Sequence, residues 1–387
     1  MENSIIFPQE TADMISYESF RDEVLNDYRV VIESREASLL GRREVLTGKA
    51  KFGIFGDGKE VAQIAMAKFF KPGDWRSGYY RDQTFILAAG IATVQQFFAQ
   101  LYADPDPAHE PFSSGRQMSS HFVTRNMEED GSLTNLANQK NVAADMAPTA
   151  AQVPRSLGLA LTSKLCRNSD VLKPFKEISA NGDEICFCTI GDASTSEGHF
   201  WETINAAGVL QVPLAVFVWD DGYGISVPKK YQTTKGSISA ALKGFKKKED
   251  TNGIDIYTLK GWNYAELCEV LETAIQKIRD THIPAVFHVE EITQPQGHST
   301  SGSHERYKSP ERLDWEKDMD CIKKMREWII ESTIATDAEL TELEHQTKER
   351  VKQSKNNAWK EYTEPIKSQA AKAVACIKSA VVNDMDK

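Results

Sequence analysis

Two short apolar runs, each ending on aspartate, constrain this chain more than any other feature. The first, Ile185-Cys186-Phe187-Cys188-Thr189-Ile190, follows an Asn181-Gly182 turn signal and breaks at Gly191-Asp192. The second runs from Leu214 to Trp219 and stops at Asp220-Asp221-Gly222. Both are too short for helices. Between them lies a helical stretch over about 197–211, and Pro213 separates it from the second run. Its start, Ser194-Thr195-Ser196-Glu197, has the pattern of a capping box, in which Ser194 satisfies a free backbone N–H and Glu197 bonds back. Strand, helix and strand at this spacing predict a βαβ unit, with a right-handed crossover and parallel strands.

That unit has a chemical consequence. Asp192 and Asp221 are far apart in sequence, yet each sits just past the C-terminal end of a strand. Parallel neighbours bring both carboxylates to one crevice beside a helix start, where open α/β sheets bind ligands. Oxygen ligands without Cys or His suit a hard cation such as Mg²⁺, which keeps open positions for a phosphate. The helix N-terminus favours the same anion. A lone aspartate at a loop tip is commonly just a solvated charge, so the inference rests on the whole constellation.

At 387 residues the chain can bury a sizeable core, and its 41% hydrophobic and 26% charged content is that of a soluble globular protein. A net charge of −10 argues against a nucleic-acid partner. No stretch approaches the roughly 20 apolar residues of a membrane span, and MENSIIFPQETADMIS lacks the basic-then-apolar build of a secretory signal. The six cysteines form no CxxC pair, and Cys186 and Cys188 fall on one strand face as small buried hydrophobes. A reducing, cytoplasmic location is expected.

Along the chain, residues 17–48 predict one or two amphipathic helices and 59–70 another, after the Gly56-Asp57-Gly58 turn. Tyr80-Arg81 lies in the stretch 74–92; on its own such a pair is a packed aromatic beside a surface cation. Residues 105–117 are loop, followed by Gly115-Arg116-Gln117-Met118-Ser119-Ser120-His121, and 125–146 show no periodicity and predict a mobile loop. Residues 147–154 open a helix to about Cys166. Strands are predicted over 254–259 and 285–292, with a helix over 264–279 between them. A Gly/Ser/His-rich loop follows, holding His298-Ser299-Thr300-Ser301 and His304. Beyond Pro310 only helix is expected, over 315–332 and from 337, where Thr336 and Glu339 form a second capping box. Trp359, Tyr362, Ile366, Ala370, Ala373 and Ile377 then make an apolar stripe that needs a covering surface. The fold expected is a doubly wound α/β domain with a mainly parallel sheet and a C-terminal helical extension. Its divisions fall at 1–50, 51–310 and 311–387.

Gly191-Asp192-Ala193, Glu197-Gly198 and Asp220-Asp221-Gly222-Tyr223-Gly224-Ile225-Ser226 resemble the thiamine-diphosphate motif, which begins Gly-Asp-Gly and ends in paired asparagines. With Tyr80-Arg81, GRQMSSH and HSTS in the same order, the chain over about 40–345 resembles the α subunits of 2-oxoacid dehydrogenases, the branched-chain type above all. The resemblance implies Mg²⁺ on Asp192, Asp221 and the Tyr223 carbonyl. It implies cofactor contacts from Tyr80, Arg81 and His298, from Ala147 and Thr149 through the main chain, and from Ala193 and Ser194 at the motif. His298 and His121 become candidate catalytic residues. Ala193 replaces the third motif glycine, the Asp pair replaces the Asn pair, and Trp219 stands where relatives often carry a polar residue. Asp keeps an oxygen ligand, so metal binding should survive.

The implied activity is oxidative decarboxylation of a branched-chain 2-oxo acid, with acyl transfer to a lipoyl group on the acyltransferase core of a complex. The chemistry belongs to thiamine diphosphate, which the protein holds and desolvates. No second motif set supplies the pyrimidine half of such a site, so the resemblance implies a β subunit in an α₂β₂ assembly. The chain could also be the α part of a fused protein. A pyruvate or acetoin enzyme, a degenerate subunit of the same fold, and a receiver-type phosphoryl-transfer domain stand as alternatives.

Overall fold

A computed structural model describes residues 16–385. The N-terminal stretch read above for a secretory signal lies outside the described residues. Helix α1 (Tyr17–Leu46) is a single helix, and its start is capped by the Ser16 hydroxyl accepting from Ser19 N. It is followed by α2 (Glu60–Ala67), β1 (Trp75–Ser77), α3 (Gln83–Ala88) and α4 (Val94–Leu101). Next come β2 (Asn141–Val142), α5 (Gln152–Asn168) and the central unit: β3 (Cys186–Gly191), α6 (Gly198–Leu210) and β4 (Leu214–Trp219). A small hairpin of β5 (Tyr223–Gly224) and β6 (Val227–Pro228) leads to the one-turn α7 (Ile238–Ala241). The sheet is completed by β7 (Asp255–Lys260), α8 (Tyr264–Thr281) and β8 (Ala285–Glu290). The chain finishes with α9 (Pro310–Asp318), α10 (Cys321–Glu331) and the long α11 (Asp337–Met385).

The main sheet has six strands in the order β2-β1-β3-β4-β8-β7, all parallel. The expected α/β architecture is therefore present. Alternation along β3 sends Phe187 to one face and Cys186 and Cys188 to the other, where both cysteines are buried. On the first face Phe217, Phe287 and Tyr257 form a stacked ladder across β4, β8 and β7, with centroids 4.6 and 5.1 Å apart. Helices α1, α2 and α8 contribute to that core, and α5 and α6 cover the opposite face.

Several local expectations change. Residues 125–146 are not simply a loop. They hold β2, paired with β1, and a bridge between Met127 and Leu133. The helix expected over 315–332 is two, α9 and α10, with Asp320 capping the second through Ile322 N and Lys323 N. The Ser194–Glu197 capping box does not form. Ala193–Ser196 winds as a 3-10 turn, Glu197 becomes the N-cap of α6, and no side chain caps it. At Thr336 and Glu339 the box is present, with both reciprocal bonds made. The apolar stripe of α11 divides. Trp359 and Tyr362 pack on Tyr102, whereas Ile366 and Ile377 are 58% and 64% exposed.

Candidate active site

Parallel register delivers four strand ends to one place. Beyond the pair Gly191–Trp219, Asp192 N donates to Trp219 O (3.1 Å) and Asp220 N to Val289 O (2.9 Å). The residues leaving β3, β4 and β8 therefore stand side by side, and the turn after β1 carries Tyr80-Arg81 to the same end.

Asp192 is buried, and among the described residues its Oδ2 has no hydrogen-bond partner. Burial, then the charges of Asp221 and Asp220, push its carboxyl well above the usual range. Asp221 is held at both oxygens: Oδ1 accepts from Tyr223 N (3.1 Å) and Oδ2 from Lys59 Nζ (3.4 Å). Its carbonyl accepts from Arg312 Nη2 at 2.8 Å. Tyr223 lies beneath two cations, Lys308 and Arg312, each 5.4 Å from its ring centroid. Asp220 turns away from this cluster. Its Oδ2 accepts from Lys229 Nζ (2.7 Å) and meets His288 Nε2 (2.9 Å). Burial opposes its ionisation, but those bonds outweigh it and hold the carboxyl below the usual range. Asp220, His288 and Glu290 lie close enough to suggest a second ion site. However, the two carboxylates approach opposite ring nitrogens, Nε2 at 2.9 Å and Nδ1 at 3.7 Å, so the imidazole stands between them and the group is a polar cluster without a common ligand point.

Arg81 is buried, donating from Nη1 to Phe55 O (2.7 Å) and from Nη2 to His298 Nδ1 (3.0 Å) and O (2.9 Å). Arginine only donates, so Nδ1 of His298 is the acceptor and Nε2 carries the proton. Burial, then the Arg81 charge, brings the His298 pKa down to about 4, so the ring is neutral near pH 7. The Tyr80 ring lies 5.2 Å from the Arg81 guanidinium and 6.5 Å from the His121 ring, stacked. His121 is buried, with Nδ1 3.2 Å from Ser119 O.

Other sequence candidates are less engaged. Ala147 and Thr149 are exposed on the turn before α5, although Gln152 ties that turn to the strand ends through Thr189 O (3.0 Å) and Ser77 Oγ (2.9 Å). Ser194 is half-buried in the 3-10 turn, away from a capping role. The methyl of Ala193 is accommodated by Gly224, where any side chain would strike Ala193 Cβ at 2.7 Å. Trp219 does not face the site. It is 1% exposed, packs on Phe217 and points Nε1 at Asp82 Oδ1, 3.4 Å away.

Two residues belong to the site that the sequence did not suggest, Lys59 and Gln294. Lys59 is 1% exposed and donates to Gln294 Oε1 at 2.6 Å. The cause of their meeting is Gly58, at φ +87°, where a Cβ would lie 2.0 Å from Thr293 O. Gln294 Nε2 is buried and unpartnered among the described residues. Arg81, Asp221, Gln294, His298, Tyr307 and Lys308 help to enclose a space of about 10 Å³, room for a single water.

The profile of the family described as dehydrogenase E1 component matches residues 32–367. The chain belongs to that family. Among relatives of this dehydrogenase E1 component chain is the 2-oxoisovalerate dehydrogenase subunit alpha of Bacillus subtilis (strain 168), 26% identical over 81% of this chain and 84% of the relative. The pyruvate dehydrogenase E1 component subunit alpha of Rickettsia prowazekii (strain Madrid E) is 25% identical over 79% and 82%. The mitochondrial 2-oxoisovalerate dehydrogenase subunit alpha of Mus musculus is 23% identical over 80% of this chain and 61% of its own length.

The family implies thiamine diphosphate, and the donors present fit it. An orphaned buried carboxylate oxygen on Asp192, a second carboxylate on Asp221 and an orphaned Gln294 amide are what a cation–phosphate group would complete. No helix among the described residues is long and apolar enough to cross a membrane.

Proposed function

We propose that this chain is the α subunit of a 2-oxoacid dehydrogenase decarboxylating component, binding thiamine diphosphate through Mg²⁺ and acting with a β subunit. The observation that carries the reading is the buried, unpartnered carboxylate oxygen of Asp192, whose ionisation the charge of Asp221 opposes. An unpaired buried carboxylate is costly, and a subunit that had given up its ligand would have no use for one.

Asp192, Asp221 and the Tyr223 carbonyl would hold the ion. Ala193 and Ser194, at the start of α6, with Ala147 and Thr149 on the facing turn, would line the diphosphate. Arg81 engages Nδ1 of His298, which leaves the Nε2 proton for a phosphate oxygen or for the reacting 2-oxo group. Tyr80 and His121 stack at the same rim, where His121 would meet the substrate. When bound, the cofactor would supply the carbon nucleophile that decarboxylation of a 2-oxo acid requires.

The substrate class supported best is a branched-chain 2-oxo acid, since the relative described above with the highest identity, 26% over 81% of this chain and 84% of its own length, is named a 2-oxoisovalerate dehydrogenase subunit alpha. The acyl acceptor would be a lipoyl group on an acyltransferase core, and the assembly α₂β₂. A cytoplasmic setting agrees with six free cysteines. The test is reconstitution. Alone the chain should not decarboxylate 2-oxo acids; with a matching β chain, kcat/KM should be higher for 2-oxoisovalerate than for pyruvate. Activity independent of added β chain would refute the half-site reading, and a preference for pyruvate would correct the substrate.

A further inference from the structure

A lysine ammonium withdrawn from water needs compensation for the hydration it loses. Lys59 is 1% exposed, and among the described residues its Nζ meets Gln294 Oε1 at 2.6 Å and Asp221 Oδ2 at 3.4 Å. Both partners line the space beside His298. The charges nearby are unevenly matched. Asp220 has Lys229 and His288 on Oδ2, although its Oδ1 is unpartnered like Oδ2 of Asp192; among the described residues Asp192 has no cation within ion-pair distance. Arg81 and Lys308 line the same space, but among the described residues Lys59 alone comes within ion-pair distance of the Asp221 carboxylate, in a site that must also accept an anionic diphosphate. An amide at this position would offer a metal the same ligand oxygen without the charge. The carboxylate therefore needs a cation of its own, and Lys59 is the buried cation in contact with it. With Oδ1 held by Tyr223 N, the Lys59 contact at Oδ2 also fixes the plane of the carboxylate.

We propose that Lys59 is a positioning residue charge-matched to Asp221: its ammonium offsets the added carboxylate and holds it in ligating orientation. The proposal rests on Asp221 being a ligand in the Mg²⁺–thiamine diphosphate reading. The rival account is that Lys59 merely anchors the loop of Gln294.

A double-mutant cycle over Lys59→Met and Asp221→Asn separates the two. The first readout is the affinity for Mg²⁺–thiamine diphosphate, by calorimetry on the full chain assembled with its β partner. With Asp221 present, Lys59→Met should weaken binding about 10–100-fold, the usual scale for residues that orient metal ligands. In the Asp221→Asn background the same change should be within about twofold of neutral. An equal loss in both backgrounds, or none in either, overturns the proposal. The second readout needs no cofactor: the urea midpoint of the chain alone. Lys59→Met removes the Gln294 bond in either background, so it should lower the midpoint more in the parent than in the Asp221→Asn background, and equal shifts overturn the pairing. If the parent assembly binds no cofactor, the functional reading fails while the unfolding cycle still decides the pair. Should Lys59→Met not fold, folding of the double variant supports the pairing, and failure of both variants overturns it.

Discussion

Asp192→Asn should affect stability and binding in opposite directions. The parent carboxylate is buried, leaves Oδ2 without a partner among the described residues, and feels the charges of Asp221 and Asp220. An amide of the same shape cannot ionise, so it escapes the burial and the carboxylate repulsion that disfavour the ionised form of Asp192. Relieving one unsatisfied buried group is worth about 1–3 kcal/mol. For 387 residues the unfolding entropy is roughly 0.8 kcal/mol per degree, so the cofactor-free variant should melt about 1–4 °C above the parent. Binding should respond the other way, since an amide oxygen is a weaker ligand and leaves the ion short of charge. At a hundredfold excess over Kd, Mg²⁺–thiamine diphosphate stabilises whatever binds it by about 2.7 kcal/mol. The parent assembled with its β chain should therefore gain roughly 3 °C, and the variant almost nothing. Scanning fluorimetry in EDTA and with the saturating pair reads both arms. A variant that melts below the parent without cofactor, or gains the same shift with it, would refute the assignment of Asp192.

Two further outcomes follow from the histidines. His298→Ala should lower kcat by roughly 10²-fold, the scale of a positioned proton donor, while the fold is retained because the loop is polar; stopped assays with matched circular dichroism check it, and parent-like kinetics would remove His298 from the chemistry. His282 lies away from the site, with its pKa brought down to about 4, first by burial and then by the Arg167 charge. A lowered histidine pKa means the unfolded chain takes the proton first. The stability it provides is therefore full above about pH 6.5 and is lost as pH falls towards 4, by at most about 3 kcal/mol. His282→Asn tolerates the left-handed backbone there (φ 58°) and should flatten that part of the pH–stability curve. An unchanged curve would show that another group governs it.

Much of the framework was legible because its signals are local. The apolar runs at 185–190 and 214–219, with the helix between them, are β3, α6 and β4, and the register sets Asp192 beside the end of β4, its N–H donating to Trp219 O. Periodicity and turn residues act over a few positions, and a parallel crossover turns them into adjacency. The shortest strands escaped detection: β1 spans 3 residues and β2 spans 2, too few for any alternation to register. The Ser194–Glu197 pattern was misleading because a cap needs an extended residue, and Asp192 and the 3-10 turn after it are already wound.

Tertiary structure alone decided which neighbouring polar groups compete for each carboxylate. Nothing beside Lys59 in sequence says that it is buried. It is buried because Gly58, lacking a side chain, lets its turn close on Thr293 and meet a loop more than two hundred residues away. Likewise, Asp220 and Asp221 are chemically identical in the sequence. Strand alternation sends one to Lys229 and His288 and leaves the other to Lys59 and the turn at Tyr223. The residue types set what chemistry is possible. The sheet's register and one close glycine contact settled which carboxylate is matched by a buried lysine.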